Sequence, residues 1–489
     1  MKEEKMILGQ GCIYSTDSSK TGLNNNVIVC GGSGCGKTMS ISEPLFLETT
    51  DSSLIATVAK KRLVYKYKPL FESRGYHVMD MDFADPGLGD TGYDPLMYVK
   101  NAHDITSLAQ AIVSADPKNG IGRSDPYWND AAVSLLSAEI AYTLYENDNA
   151  TFCDVLKMHD GLKIKSTLRE DIVSTSYDKR FEKLAPMQEG RPYDDVCITM
   201  DDIKAKFLQL SGKDGTPASS VESRWIHACE MAKDEKIKEQ MKEQMSKAYG
   251  DEREAEKKAA LASFACSCWK TFSETPEVTA RSIYVSLNTT LDKVFTPQIR
   301  ETIRCEKKVR FEELGSRKSI LFVTTSPVNP SLNLYINMFY SQAIKQLFEF
   351  AERRPDGRLP FPVHILCDDF AAGGRIFGFP EYISVFREKG ISATILVQSE
   401  SQLASMYGAA DAVTIINNCD SYVYMGGMDI DTARAVSLRL NVPMSEVLNM
   451  PVGREIVFRR GEEPAVTSRY DIRKNELYRS VTELYEKTI

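Results

Sequence analysis

A short glycine-rich stretch constrains this chain more than any other part of its sequence. Residues 27–29 are the apolar run Val-Ile-Val, which leads into Gly31-Gly-Ser-Gly-Cys-Gly-Lys-Thr38. The spacing is G-x-x-x-x-G-K-T, in which glycines allow successive backbone N–H groups to surround phosphate oxygens. Lys37 and Thr38 begin a helix, whose positive end adds to the same field. The stretch therefore predicts a strand, a phosphate-binding loop and a helix, and with them a nucleotide-binding protein.

The residues of this loop have distinct expected roles. We expect Lys37 to reach the β- and γ-phosphates of ATP and the Thr38 hydroxyl to bind Mg²⁺. Cys35 stands where a serine or alanine would serve, but a thiol at a helix N-terminus can also be reactive. The predicted nucleotide-contacting residues are Gly31, Gly32, Ser33, Gly34, Cys35, Gly36, Lys37, Thr38 and Met39.

Length and composition restrict the class of protein further. A chain of 489 residues exceeds one ordinary core, and 43% hydrophobic with 26% charged residues is typical of a globular protein. No stretch approaches the ~20 apolar residues of a membrane span, and the start does not resemble a signal peptide, so we expect a cytoplasmic protein. The net charge of −8 argues against a protein that coats nucleic acid over its whole surface. Eleven scattered cysteines predict reduced thiols.

Buried apolar runs alternate with helical segments, which predicts an α/β fold with a mainly parallel sheet. The predicted strands are residues 27–29, 53–59, 75–83, 319–325, 363–367, 392–398, 420–425 and 454–458. From about 149 to 273 the strand signals vanish, and residues 232–258 are rich in Lys and Glu. We therefore predict a nucleotide-binding domain at 1–148 and 274–489, with an all-helical insertion at 149–273.

A phosphate loop needs a metal-coordinating acid at the end of another buried strand. The apolar run 363–367 is followed by Asp368 and Asp369. We expect Asp368 to hold Mg²⁺ through water, and Asp369 to orient or deprotonate the attacking water.

Several motifs occur in the order seen in type IV coupling proteins, which the chain resembles over about residues 7–471. Those proteins are the conjugative DNA-transfer ATPases of type IV secretion systems, and the resemblance is particularly to the branch in Gram-positive mobile elements. Besides the phosphate loop, the motifs are Asp125-Pro-Tyr-Trp128, Asp368-Asp-Phe-Ala371, Gln398-Ser-Glu-Ser-Gln-Leu403, and Asn418-Cys-Asp420 with Gly426-Gly427.

The resemblance implies a hexameric RecA-like motor with an inserted all-helical domain. Such a motor would deliver single-stranded DNA bound to a relaxase, or a protein substrate, to a type IV secretion channel, and would be recruited to the inner face of the cell membrane. In RecA-like motors a polar residue at the position of Gln398 senses the γ-phosphate. Arg387 is the candidate arginine finger that reaches a neighbouring subunit's nucleotide.

Three features depart from the family pattern. Coupling proteins usually carry N-terminal transmembrane helices, which we do not find in this sequence. Residues 57–62 are Thr-Val-Ala-Lys-Lys-Arg instead of the usual Thr-Asp-Pro-Lys-Gly-Glu. Asp369 is one methylene shorter than the more common glutamate, so we expect slow hydrolysis.

Two alternatives to an ATP-driven translocase therefore stay open. The altered residues 57–62 and Asp369 favour an ATP-gated substrate adaptor with little hydrolysis. A double-stranded DNA pump of the FtsK–HerA kind should instead show a strongly basic terminal module, and none is visible in the sequence.

Overall fold

The chain folds into an α/β structure, seen in a computed structural model that describes residues 3–114, 126–162, 252–273, 275–326, 332–368, 370 and 375–488. The strands of the described residues are β1 (Lys5–Gly9), β2 (Cys12–Ser15), β3 (Val27–Cys30), β4 (Ser53–Val58), β5 (His77–Asp82), β6 (Ser319–Thr324), β7 (Val363–Cys367), β8 (Ile391–Val397), β9 (Ser421–Tyr424), β10 (Arg454–Arg459) and β11 (Ala465–Ser468).

Helices connect most of these strands. The α-helices of the described residues are α1 (Ser18–Thr21), α2 (Glu43–Glu48), α3 (Lys61–Ser73), α4 (Ala102–Val113), α5 (Pro126–Glu146), α6 (Phe152–Asp160), α7 (Glu252–Ser273), α8 (Glu277–Val294), α9 (Pro297–Arg304), α10 (Phe311–Ser316), α11 (Leu332–Glu352), α12 (Phe379–Lys389), α13 (Glu400–Tyr407), α14 (Ala409–Asn417), α15 (Ile430–Leu440), α16 (Met444–Leu448) and α17 (Glu476–Thr488). A π-helical turn, Thr38–Ser42, precedes α2. In the described part of the chain, no helix has both the length and the apolar character needed to cross a bilayer.

The sheet has nine strands in the order β11-β10-β9-β3-β8-β7-β4-β6-β5. The seven strands from β9 to β5 run parallel, and β10 and β11 are added antiparallel to β9. Every residue of β3, β4, β6 and β7 is buried. Strands buried on both faces have near-continuous apolar sequences, which is why the parallel strands were recognisable in the sequence.

The helix between β4 and β5 shows how the layers pack. In α3 the buried apolar residues Leu63, Val64, Tyr67 and Phe71 recur at helical spacing, so they cover one face of the sheet. Phe71 lies edge-on to Phe322 of β6, with ring centroids 6.0 Å apart. The parallel connection β4-α3-β5 is the βαβ unit that the alternating apolar runs predicted.

The chain divides into two compact units, residues 1–94 with 294–489 and residues 95–293. The first contains all eleven described strands, and in the described part of the second the regular structure is helical, with α4 to α8. The predicted domain limits at 148 and 274 stay a prediction. Much of the predicted insertion, residues 163–251, lies outside the described residues.

Candidate nucleotide site

The phosphate loop, residues 31–38, lies between the ends of two neighbouring strands. It leaves β3, all four residues of which are completely buried. The Gly31 N–H donates to the Val397 carbonyl at the end of β8 (3.2 Å), and the Gly32 N–H donates to the Gly426 carbonyl just beyond β9 (2.9 Å). The loop is therefore fixed at the carboxyl edge of the parallel strands, where open α/β sheets bind their ligands.

Three glycines of the loop occupy positions that a side chain would disturb. Gly34 and Gly36 have φ angles of 74° and 85°, in the left-handed region that favours glycine. A Cβ on Gly31 would lie 2.6 Å from Cys35 Sγ and 2.9 Å from Met425 Cβ. The glycine spacing is thus required by backbone conformation and by close packing.

Lys37 is the cation of this loop. Its side chain is buried, with 8% of the residue exposed, and its Nζ donates to the Gly31 carbonyl (2.6 Å) and the Gly32 carbonyl (3.3 Å). Both described hydrogen bonds of the ammonium therefore go to backbone oxygens of the loop, and neither goes to a carboxylate. This charge is available to an anion that enters the loop.

The structure brings Thr38 and Asp368 into contact. Thr38 Oγ1 donates to Asp368 Oδ2 at 3.0 Å. Thr38 directly follows Lys37, and Asp368 is the first residue after β7. A hydroxyl and a carboxylate are the oxygen ligands that Mg²⁺ prefers. Asp369, the predicted water-orienting acid, lies outside the described residues, so its role stays a prediction.

Gln398 and Arg387 lie at opposite ends of strand β8. Gln398 follows β8 at the edge of the phosphate loop, is exposed, and its N–H donates to Gln402 Oε1 (3.0 Å). Arg387 is exposed in the last turn of α12, just before β8 begins. Since β8 is seven residues long, its two ends are roughly 20 Å apart. The structure therefore groups Gln398 with Lys37 and does not place Arg387 near the loop of its own chain.

A buried ion pair supports the helix that follows the loop. Glu43, at the start of α2, accepts from Lys66 Nζ (2.9 Å) and from the Tyr67 hydroxyl (2.6 Å) of α3. Burial, followed by the Glu43 charge, raises the pKa of Tyr67 far above its usual value. This contact joins the segment after the phosphate loop to the neighbouring helix.

The unusual residues 57–62 have structural partners. The Thr57 hydroxyl contacts the Tyr340 hydroxyl. Lys61 Nζ lies 2.7 Å from Asp80 Oδ1 and 3.2 Å from Asp82 Oδ2, and these two aspartates are nearly inaccessible to solvent. Burial raises the pKa of Asp80. The second basic residue of this segment therefore forms ion pairs with two buried acids of β5.

The aromatic motif belongs to the helical unit. Tyr127 and Trp128 stand in the first turn of α5, with 49% and 38% exposure, and the Tyr127 hydroxyl donates to Thr275 Oγ1 (3.2 Å). Asp125, the first residue of the motif, lies outside the described residues.

Sequence reasoning missed Arg469. This residue follows β11, and its Nη2 donates to the Met425 carbonyl at 2.9 Å. Its Nη1 lies 3.8 Å from the position that a Cβ on Gly36 would occupy. No spacing in the sequence connects Arg469 with the loop, because the hairpin of β10 and β11 carries it there.

The fold and site define a nucleotide-binding protein of the RecA-like P-loop class. β8 lies between β3, which carries the loop, and β7, which carries Asp368. The sequence profile of the type IV secretory system conjugative DNA transfer family matches residues 1–441. The chain therefore belongs to that family, which confirms the predicted relationship and favours a coupling function over both alternatives.

Solved structures agree on the fold. An unbound form of the bacterial conjugative coupling protein TrwB is similar with a TM-score of 0.56 and 14% identity, over 96% of this chain and 90% of that chain. TrwB with ADP and Mg²⁺ gives a TM-score of 0.53 and 12% identity, over 96% and 90%. The complex of TrwB with a non-hydrolysable GTP analogue gives a TM-score of 0.54 and 14% identity, over 96% of this chain and 95% of that chain. A search of curated proteins finds no match. The predicted RecA-like fold is confirmed.

Proposed function

We propose that this chain binds and hydrolyses ATP with Mg²⁺, and that hydrolysis drives the transfer of DNA toward a type IV secretion channel. The contact between Thr38 and Asp368 is the observation that carries this proposal, because it joins two hard oxygen ligands at the end of the loop that contains Lys37. TrwB structures with ADP and Mg²⁺ and with a non-hydrolysable ATP analogue support the choice of ligand.

Each residue of the site then has a defined task. The backbone of residues 31–36 surrounds the phosphates, and Lys37 exchanges its carbonyl partners for phosphate oxygens. Thr38 and Asp368 hold Mg²⁺, which neutralises charge on the β- and γ-phosphates when it is bound. Asp369 positions or deprotonates the attacking water, and Gln398 senses the γ-phosphate from the end of β8.

Membership of the conjugative DNA transfer family supports the choice of substrate and assembly. The transported substrate is single-stranded DNA with its relaxase, or a secreted protein, and the receiving partners are membrane components of the secretion system. The active form is a homo-hexamer recruited to the inner face of the membrane, and residues 149–273 are its helical insertion. Arg387 supplies a cation to the nucleotide of a neighbouring subunit.

Lys37→Ala tests the nucleotide site. Titration with a fluorescent ATP analogue should show loss of Mg-ATP binding, and ATP turnover should vanish with and without single-stranded DNA. Lys474→Ala is the matched control, because Lys474 has a side chain 79% exposed at the surface. Normal Mg-ATP binding by a folded Lys37→Ala protein would refute this site. Wild-type binding without any turnover would instead support the adaptor over the motor.

A further inference from the structure

Arg469 is held against the phosphate loop by contacts to two strand connections. Its N–H donates to the Gly453 carbonyl before β10 (2.9 Å), and its Nη2 donates to the Met425 carbonyl beyond β9 (2.9 Å). The next carbonyl, that of Gly426, accepts from Gly32 of the loop (2.9 Å). The guanidinium and the loop are thus attached to consecutive residues of the same connection.

The guanidinium has donors without protein acceptors. Arg469 Nε is buried and has no hydrogen-bond partner among the described residues. A buried donor without an acceptor costs about 1–3 kcal/mol, and more when the group is charged. An arginine whose donors face a phosphate-binding loop has the geometry to bind a phosphate.

No described carboxylate forms an ion pair with this guanidinium. Glu455 of β10 is the acid whose charge interacts with Arg469, but both of its oxygens are buried without hydrogen-bond partners. Burial raises the pKa of Glu455 to about 8, so its carboxyl is mostly neutral near pH 7. The positive charge of Arg469 is therefore left for another anion.

The position of Arg469 in the sheet tells which part of a nucleotide it faces. β3 has β8 on one side and β9 on the other, and the acid Asp368 lies beyond β8. Arg469 is attached on the side of β9, through Met425, whose N–H donates to the Cys30 carbonyl of β3 (2.8 Å). Thr38 and Asp368 would hold Mg²⁺, which would supply positive charge to the γ-phosphate end of the nucleotide. Arg469, on the other side of the loop, would therefore meet the remaining diphosphate part.

We propose that Arg469 is a nucleotide-binding residue that contacts the diphosphate part common to ATP and ADP, on the side of the loop away from Asp368. This inference rests on the proposed function, because it requires a nucleotide in the phosphate loop. The residue contributes to affinity and leaves the chemical step unchanged. Substitution of an arginine finger would instead lower ATP turnover and leave ADP affinity unchanged.

The test compares Arg469→Gln and Arg469→Lys with wild type, using fluorescence titrations with Mg-ADP and a non-hydrolysable Mg-ATP analogue. Arg469→Gln should raise both dissociation constants by the same factor, ~10-fold or more, as expected for a charge-assisted hydrogen bond. Arg469→Lys should lie between Gln and wild type, and kcat at saturating ATP should change less than about 2-fold. Arg454→Gln is the control, since it removes the same charge from an exposed position of the same hairpin.

A second measurement uses the unmodified chain and does not depend on how the variants fold. Phenylglyoxal should modify Arg469 in the free protein, and Mg-ADP should protect it, as read by mass spectrometry. Unchanged affinities in Arg469→Gln, a loss confined to ATP or kcat, or no protection by Mg-ADP would each overturn the inference. If Lys37→Ala loses binding while Arg469→Gln does not, only this inference fails. If Lys37→Ala binds normally, the proposed function fails.

Discussion

Thr38 Oγ1 lies 3.0 Å from Asp368 Oδ2, although 330 residues separate the two in the sequence. Thr38 ends the phosphate loop that leaves β3, Asp368 follows β7, and β8 lies between these strands. The contact depends on the parallel register, which places the carboxyl ends of the three strands at one edge of the sheet. A parallel sheet thus brings together, from two distant segments, the two residues that we propose to bind Mg²⁺.

We expect Asp368→Asn to reduce the Mg²⁺-dependence of nucleotide binding. The amide keeps the size of the side chain but removes the negative charge that a hard cation requires. ADP affinity in the presence of Mg²⁺ should fall ~10-fold or more, the scale of one contact to a charged group. Affinity measured with EDTA should stay near wild type. An equal stimulation by Mg²⁺ in both proteins would exclude Asp368 as a metal ligand.

The buried parallel strands at the centre of the sheet could be predicted from the sequence, and the short strands β1, β2 and β11 could not. β3, β4, β6 and β7 are buried on both faces, so their apolar runs were visible. β2 and β11 were not predicted, because they are four residues long and partly exposed. β1, which is five residues long and mostly buried, was not predicted either. In β11, for example, half-buried and exposed residues alternate. A short edge strand such as β11 carries too few apolar residues to distinguish it from a loop.

The site divides in the same way. The common position of Lys37, Thr38 and Asp368 could be predicted from the sequence, because the loop motif is local and parallel strands end on the same side of the sheet. Arg469 could not, since its place depends on the antiparallel hairpin that includes the unrecognised strand β11. Arg387 was predicted to reach the nucleotide of a neighbouring subunit, and this role stays a prediction, because the structure describes a single copy of the chain.

Cys35 should be the thiol that controls nucleotide binding. Its sulfur packs within the phosphate loop, against Gly31, and the side chain is only partly buried. Burial raises the pKa of Cys30 and of Cys367 to about 12, which keeps these two thiols unreactive. N-ethylmaleimide should therefore block ATP binding in the wild type, with protection by Mg-ATP, while Cys35→Ser resists. Cys305→Ser, at another partly buried thiol, should remain as sensitive as wild type. Equal inactivation of Cys35→Ser would assign the effect to a different cysteine.

Glu455 should make stability depend on pH. Burial raises the pKa of this carboxyl from its usual 4.5 to about 8. The folded state therefore holds a proton that the unfolded state releases, so the stability is fully present below pH 4.5 and is lost as the pH rises through 8. Glu455→Gln removes this dependence. Its melting temperature should match wild type near pH 5 and exceed it by at least ~2 °C at pH 8.

The control for Glu455 is an acid of the same hairpin. Glu463 is exposed, so Glu463→Gln should show the same small difference from wild type at both pH values. A difference between Glu455→Gln and wild type that does not grow from pH 5 to pH 8 would show that this carboxyl is already ionised in the folded protein.

Lys61 should stabilise the fold by forming ion pairs with two buried acids. Its removal in Lys61→Met leaves the carboxylates of Asp80 and Asp82 buried without a cation. Breaking a buried ion pair in this way typically costs 3–5 kcal/mol. The midpoint of denaturant unfolding should fall accordingly at pH 7. The loss should shrink as the pH is lowered, because burial raises the pKa of Asp80 and protonation then relieves the cost. Arg62→Met, at an exposed neighbouring position, should change stability by less than about 0.5 kcal/mol. An equal effect of both substitutions would contradict the role of the ion pairs.

Arg387 is expected to act on a neighbouring subunit. Its exposed side chain stands before β8, and the phosphate loop of the same chain lies at the other end of that strand, roughly 20 Å away. That separation exceeds the reach of an arginine side chain. A catalytic role for Arg387 therefore requires a second copy that presents this edge to the loop, and a cation supplied in this way accelerates phosphoryl transfer by stabilising charge on the γ-phosphate. ATP turnover per subunit should rise with protein concentration, and Arg387→Ala should abolish the rise while ADP binding stays normal.

Mixing two inactive variants tests this arrangement directly. Lys37→Ala has a defective loop and an intact Arg387, and Arg387→Ala has the reverse. In a mixed assembly some interfaces combine the intact loop of one subunit with the intact arginine of the next, so partial ATP turnover should return. Co-assembly has to be established by size-exclusion chromatography with light scattering before turnover is compared. Arg353→Ala is the control for the loss of an exposed arginine, since Arg353 pairs with Glu312 in its own chain, and this variant should keep wild-type turnover without mixing. If co-assembled mixtures stay inactive, Arg387 does not act on the nucleotide of a neighbouring subunit. An intact loop and an intact Arg387 would then meet at some interfaces without restoring turnover.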